Sequence, residues 1–104
     1  MTRVAFKMKL NQGFAEEYKK RHDEIWEELS KVLKDAGVYD YSIFLDEETN
    51  ILFAFQKLKD GNNADKLSEK DIVKKWWDYM SDIMDTNPDN SPVCIDLKEV
   101  FHMD

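Results

Sequence analysis

His22 is the residue in this chain best placed to do chemistry, and Tyr18 precedes it by four positions. Residues at that spacing stand side by side on a helix, so a phenol and an imidazole would project together. Phe14, Ile25, Leu29, Val32 and Ala36 recur at steps that put them on the same face, which is apolar and turned inward. An imidazole partly withdrawn from water resists carrying charge. It then suits acid or base work near neutral pH. The same spacing also fits a core histidine whose nitrogens bond to backbone or to Tyr18.

Trp76-Trp77 is the second unusual feature. Neighbours on a helix point ~100° apart, so one indole packs inward while the other reaches a rim or cleft. Indole offers a broad apolar face and an N–H donor, which suits a sugar as well as it suits a packed core. Tyr39 and Tyr41, two apart on a candidate strand, share a side and with Tyr18 could line a polar-aromatic pocket. Asn87-Pro88-Asp89-Asn90-Ser91-Pro92 reads either as a rigid turn or as a patch of amides for a ligand or partner.

Other chemistries find no support. His22 and His102 are far apart and form no metal-ligating pair. No glycine-rich loop suits a phosphate or dinucleotide. Cys94 is the single cysteine, reads as a buried or semi-buried strand residue, and cannot form an internal disulfide. Fifteen basic against 22 acidic residues give a net charge of −7, which repels a phosphate backbone and argues against nucleic acid. No run approaches the ~18–20 apolar residues of a membrane span, and the N-terminus lacks the apolar core of a signal peptide. A cytoplasmic protein is expected, with no membrane partner.

The elements that must position these residues follow from hydrophobic period. The 104 residues allow one domain, spanning 1–104. Arg3 to Leu10 alternates as a half-buried strand, with Val4, Phe6, Met8 and Leu10 on one side. A helix is expected from Phe14 to Ala36, with Gly37 at its left-handed cap. Tyr39–Leu45 and Ile51–Leu58 flank a polar loop and read as a hairpin. Asp60 to Ser68 is irregular, with a short helical turn near Ala64. A second helix is expected over Glu69–Ile83 and a last strand over Val93–Phe101.

The order β-α-β-β-α-β predicts an α+β fold of the ferredoxin-like kind, its helices on one face of an antiparallel sheet. The third strand is apolar on both sides: Ile51, Phe53 and Phe55 on one, Leu52, Ala54 and Leu58 on the other. Helices cover one face only, so the second needs a cover: a second copy of the sheet, a ligand, or both. A homodimer through the sheet faces is expected, since two-fold dimers are the commonest assembly.

Four blocks in order carry a family resemblance: Glu17-Tyr18-Lys19-Lys20-Arg21-His22-Asp23-Glu24-Ile25-Trp26, Tyr41-Ser42-Ile43-Phe44-Leu45-Asp46, Trp76-Trp77-Asp78-Tyr79-Met80 and Asn87-Pro88-Asp89-Asn90-Ser91-Pro92. Together they resemble the L-rhamnose mutarotases from Ala5 to about Phe101. The resemblance implies a dimeric α+β barrel and a cofactor-free epimerase acting at the anomeric carbon of a 6-deoxy monosaccharide. It implies His22 as the proton donor, with Tyr18, Tyr41, Trp76 and Trp77 contacting the sugar. One departure stands out. The family often has proline after the Ile-Trp pair, where this chain has Glu27.

The chemistry suits these residues. Exchange of anomers opens the pyranose ring, turns the aldehyde and closes it again, which one acid and one base can serve. Two other readings use the same features: a cofactor-independent monooxygenase of the dimeric α+β barrel type, and a non-catalytic sugar-binding module.

Overall fold

The computed structural model describes residues 2–104. Strand β1 (Thr2–Lys9) runs into helix α1 (Ala15–Asp23) and then α2 (Glu27–Asp35). The hairpin β2 (Val38–Asp46) and β3 (Ile51–Leu58) follows, then a 3-10 turn over Ala64–Glu69, helix α3 (Asp71–Met80) and a short β4 (Ile95–Leu97). The four strands form one antiparallel sheet in the order β2-β3-β1-β4.

Residues paired across a sheet point to the same face, so the register sorts the side chains. Phe6 and Met8 stand opposite Ala54 and Leu52, which stand opposite Ile43 and Leu45. This face carries the core, in which Met8, Leu52 and Ala54 close on Tyr18, Met80, Ile83 and Met84. Leu10, Leu52 and Ile83 are sealed from solvent. Each such burial contributes about 1.5–3 kcal/mol. The chain leaving α3 is held to the end of β1 by Asn11 N–H donating to the Ile83 carbonyl at 2.8 Å and Asp85 N–H to that of Lys9 at 3.0 Å.

The opposite face carries Ala5, Lys7, Phe53, Phe55, Phe44, Ile95 and Leu97. Phe44 there is 68% exposed and Ile95 54%. The expectation that β3 is apolar on both sides therefore holds, with Leu52 buried and Phe53 on the outer face.

The expected helix over Phe14–Ala36 is in fact two. Glu24, Ile25 and Trp26 leave the helical path, and Trp26 takes an extended conformation (φ −61°, ψ 132°) as the N-cap of α2. Neither glycine nor proline marks the break, and the apolar period runs straight through it. Packing supplies the cause. The break sets the Trp26 ring against Trp76 and Tyr79 of α3, with centroids 5.1 and 5.6 Å away. Each aromatic pair of this kind contributes about 0.5–1.5 kcal/mol beyond its buried area. Glu27 is the first residue of α2, the position that accepts proline most readily.

Two further expectations change. The last strand covers Ile95–Leu97 rather than Val93–Phe101, because only Ala5, Phe6 and Lys7 of β1 pair with it. Tyr39 and Tyr41 do not share a side. Tyr39 stands opposite Lys57 and Ser42 opposite Phe55, so Asp40 and Tyr41 together span the place of Gln56. That bulge, with Asp40 at φ +49°, turns Tyr41 to the helix side and leaves Tyr39 on the other. Gly37 caps α2 as expected, at φ +93°, and a Cβ there would lie 2.8 Å from the Asn62 Cβ. Among the described residues no helix is long and apolar enough to cross a membrane.

Candidate active site

Helix α1 brings Tyr18 and His22 together as their spacing requires. Their rings stack with centroids 4.3 Å apart and planes 27° apart. The Nδ1 of His22 lies 3.0 Å from the backbone carbonyl of Tyr18. A carbonyl oxygen can only accept, so Nδ1 carries the hydrogen and Nε2 keeps the lone pair of the neutral ring. Burial holds the imidazole below its ordinary value, while the Tyr18 carbonyl and Asp23 pull the other way. The resting ring at neutral pH is uncharged, with Nε2 free to take a proton.

Helix α3 supplies the facing wall. Trp76 meets His22 edge-on at 5.4 Å and 88°. It also meets Trp26 at 5.1 Å and Tyr79 at 5.6 Å, and Tyr79 stacks on Trp26 at 5.6 Å. Tyr18, His22, Trp76, Trp26 and Tyr79 thus form a continuous chain of rings along the junction of the helices.

The two phenols of the site stay protonated. Tyr18 is buried, and burial lifts its hydroxyl well above the ordinary tyrosine value. Tyr41 keeps part of its surface exposed, but its hydroxyl is desolvated and pushed up to about 12, with a hydrogen bond from Gln56 opposing the rise. The two phenols lie close enough that charge on one disfavours charge on the other. At neutral pH both offer O–H groups and neither serves as a phenolate base.

Of the residues expected in the site, Tyr18, His22 and Trp76 meet directly and Tyr41 joins them electrostatically from the bulge. Trp77 is half-buried and lies outside the chain of rings. Trp26, Tyr79, Gln56 and Arg21 also belong to the surroundings of the site, and no spacing along the chain marks them, because each meets its partner on another element. Cys94, read from sequence as buried or semi-buried in a strand, is exposed just ahead of β4 and lies near enough to influence both phenols. The Asn87–Pro92 turn uses one side-chain amide within itself and one on α3. Asn87 Nδ2 donates to Ser91 Oγ at 3.0 Å, and Asn90 Nδ2 to Asp78 Oδ1 of α3 at 2.9 Å. No group of three or more His, Cys, Asp or Glu side chains gathers to hold a metal ion among the described residues.

A neutral imidazole with one free nitrogen, two protonated phenols and an indole wall gather on the helix side of an antiparallel sheet in a small α+β protein, an arrangement able to exchange protons with a polar ligand. Comparison with known proteins gives the family. The chain belongs to the L-rhamnose mutarotase family, whose model matches residues 3–103. An L-rhamnose mutarotase of Formosa agariphila is 61% identical and one of Phocaeicola vulgatus 62%, each over 100% of both chains. The crystal structure of an L-rhamnose mutarotase from Formosa agariphila superposes with a TM-score of 0.93 at 60% identity, again covering 100% of both chains.

Proposed function

We propose that this protein interconverts the α and β anomers of L-rhamnose, or of a related 6-deoxy sugar, by acid–base opening of the ring at the anomeric carbon. The observation that carries the reading is His22, neutral and fixed by the Tyr18 carbonyl, with its other nitrogen free beside Trp76. The names of its relatives support the same substrate.

His22 moves the proton. Its Nε2 takes the hydrogen of the anomeric hydroxyl as the bond from that carbon to the ring oxygen breaks. The imidazolium so formed donates the hydrogen to the ring oxygen, giving the open aldehyde and a neutral histidine. The two oxygens are borne by one carbon, so a single imidazole can reach both. Rotation of the aldehyde and the reverse sequence close the ring as the other anomer, with atoms and charge balanced. Tyr18 and Tyr41 hold the sugar hydroxyls, and Trp76 or Trp77 holds its apolar face, including the C6 methyl. The reaction demands no redox step.

The finer architecture belongs to this proposal too. The strand order β2-β3-β1-β4 supports a ferredoxin-like arrangement. The apolar outer face supports a homodimer, two such sheets closing as a dimeric α+β barrel. A hollow on that face, lined by Ala5, Phe55, Leu97 and Phe101, would be filled by the second copy. A cytoplasmic location belongs to the same reading.

Positioned proton transfer contributes typically 10²–10⁴-fold. His22→Ala is therefore expected to slow anomer exchange on rhamnose at least about a hundredfold, read by saturation-transfer NMR. A variant that exchanges at the full rate removes the histidine from the mechanism.

A further inference from the structure

Arg21 precedes His22 on α1, and its side chain is only 10% exposed. Its guanidinium reaches three partners at once. Nε donates to Glu17 at 2.7 Å, one turn back on the same helix. Nη1 donates to the Tyr79 carbonyl at 2.7 Å, and Nη1 and Nη2 grip the Asp82 carboxylate at 2.8 and 3.3 Å. The same group lies 4.5 Å from the centre of the Tyr79 ring.

The end of α3 explains why a cation belongs there. A helix C-terminus carries unsatisfied carbonyls and partial negative charge, which a cation relieves. Helix α3 has no basic residue in its last turn, so a residue from α1 supplies one. The contact falls where Tyr79 stacks on Trp26 and touches Trp76, the ring that faces His22.

We infer that Arg21 is a positioning residue: it bolts α1 to the end of α3 and so sets the His22 ring against Trp76. This rests on the proposed role of His22. Only a planar fork of donors can bond Glu17, Asp82 and the Tyr79 carbonyl together while lying over a ring; a lysine ammonium is a point charge. Small displacements of a catalytic group are costly in rate, up to ~10²-fold for about 1 Å.

Arg21→Lys keeps the charge and tests the geometry. The expected variant folds, by circular dichroism, and exchanges anomers about tenfold more slowly, with half-saturation by rhamnose changed less than about twofold. The His22 ring protons, shifted in the native protein by the Tyr18 and Trp76 ring currents, are expected to move in its NMR spectrum. Asp82→Asn loosens the same grip and is expected to show both effects more weakly, which keeps the test open should Arg21→Lys fail to fold. A native exchange rate in Arg21→Lys, or a slower rate with unmoved His22 signals, overturns the inference. The His22→Ala measurement separately decides the role of the histidine, because the NMR shifts report geometry whether or not that ring is catalytic.

Discussion

The hydrogen on Nδ1 of His22 is fixed by an oxygen that cannot donate, and this gives the site a pH signature. Burial lowers the folded-state value beneath 6.5, so the ring is neutral above that pH and charges only as pH falls through its lowered value. A resting ring that must accept the first proton works only when neutral. Exchange by the native enzyme is thus expected to be flat above about pH 6.5 and to decline on acidification through the histidine's own value. Rates that instead rise on acidification would show that the resting ring is the charged donor. Stability runs in the same direction. The unfolded chain binds the proton more readily, so the contribution of the neutral ring is full above 6.5 and is lost as pH drops through the folded value. Circular dichroism across the range separates loss of rate from loss of fold. The Tyr18–His22 pair was legible in sequence because a turn of helix brings residues four apart into contact without help from anything distant. Trp26, Tyr79 and Arg21 were not, since each acquires its part from a partner on another element. Arg21 in particular looks like one charge among many until Asp82 and the Tyr79 carbonyl close on it.

Local pattern fixed the type of each element and missed the places where packing interrupts it. The first and third strands form where the pattern puts them, β1 at Thr2–Lys9 and β3 at Ile51–Leu58. The break between α1 and α2 is invisible to period, because the stripe from Tyr18 to Leu29 stays apolar across it. The bulge at Asp40 is invisible for a related reason: one added residue reverses the side of Tyr39 relative to Tyr41 without altering composition. The break makes its own prediction. Glu27 is the first residue of α2, its amide precedes the first bonded one, Ser30 to the Trp26 carbonyl at 3.0 Å, and Trp26 is already extended as a residue before proline prefers. Glu27→Pro should therefore be tolerated. Loss of one first-turn carboxylate, about 0.3–1 kcal/mol, roughly offsets the gain from a stiffer unfolded chain, about 0.4–1 kcal/mol. The thermal midpoint is expected to stay within a few degrees of native by roughly these magnitudes. Proline inside a continuous helix would cost about 3 kcal/mol or more and lower the midpoint by more than ~10 °C, so one melting curve decides between the two.

At the scale of the whole molecule the sheet has one face closed by helices and one left apolar. That asymmetry was legible in β3 alone, whose two sides are both hydrophobic while a single layer of helices is available. What the strand could not show is which residues of its neighbours complete the outer face; the register does, by setting Phe44 opposite Phe53 and Lys7 opposite Ile95. Beyond β4 the chain continues the exposure, with Val100 88% and Phe101 78% open to solvent. Phe44 tests whether a second copy covers this surface. In a single chain its ring is 68% exposed, so Phe44→Glu changes a surface position and should alter folding stability by no more than about 0.5 kcal/mol. In a face-to-face dimer the same substitution buries two carboxylates without partners, each costing several kcal/mol. Association would fail while the fold persists. The native protein is accordingly expected to sediment at twice 12.4 kDa and Phe44→Glu at 12.4 kDa, both with the same circular dichroism. A native chain that sediments at 12.4 kDa at every concentration leaves the outer face without a second copy. A Phe44→Glu variant that still pairs places the contact elsewhere on the molecule, because a carboxylate buried without a partner at the centre of the joined faces costs several kcal/mol.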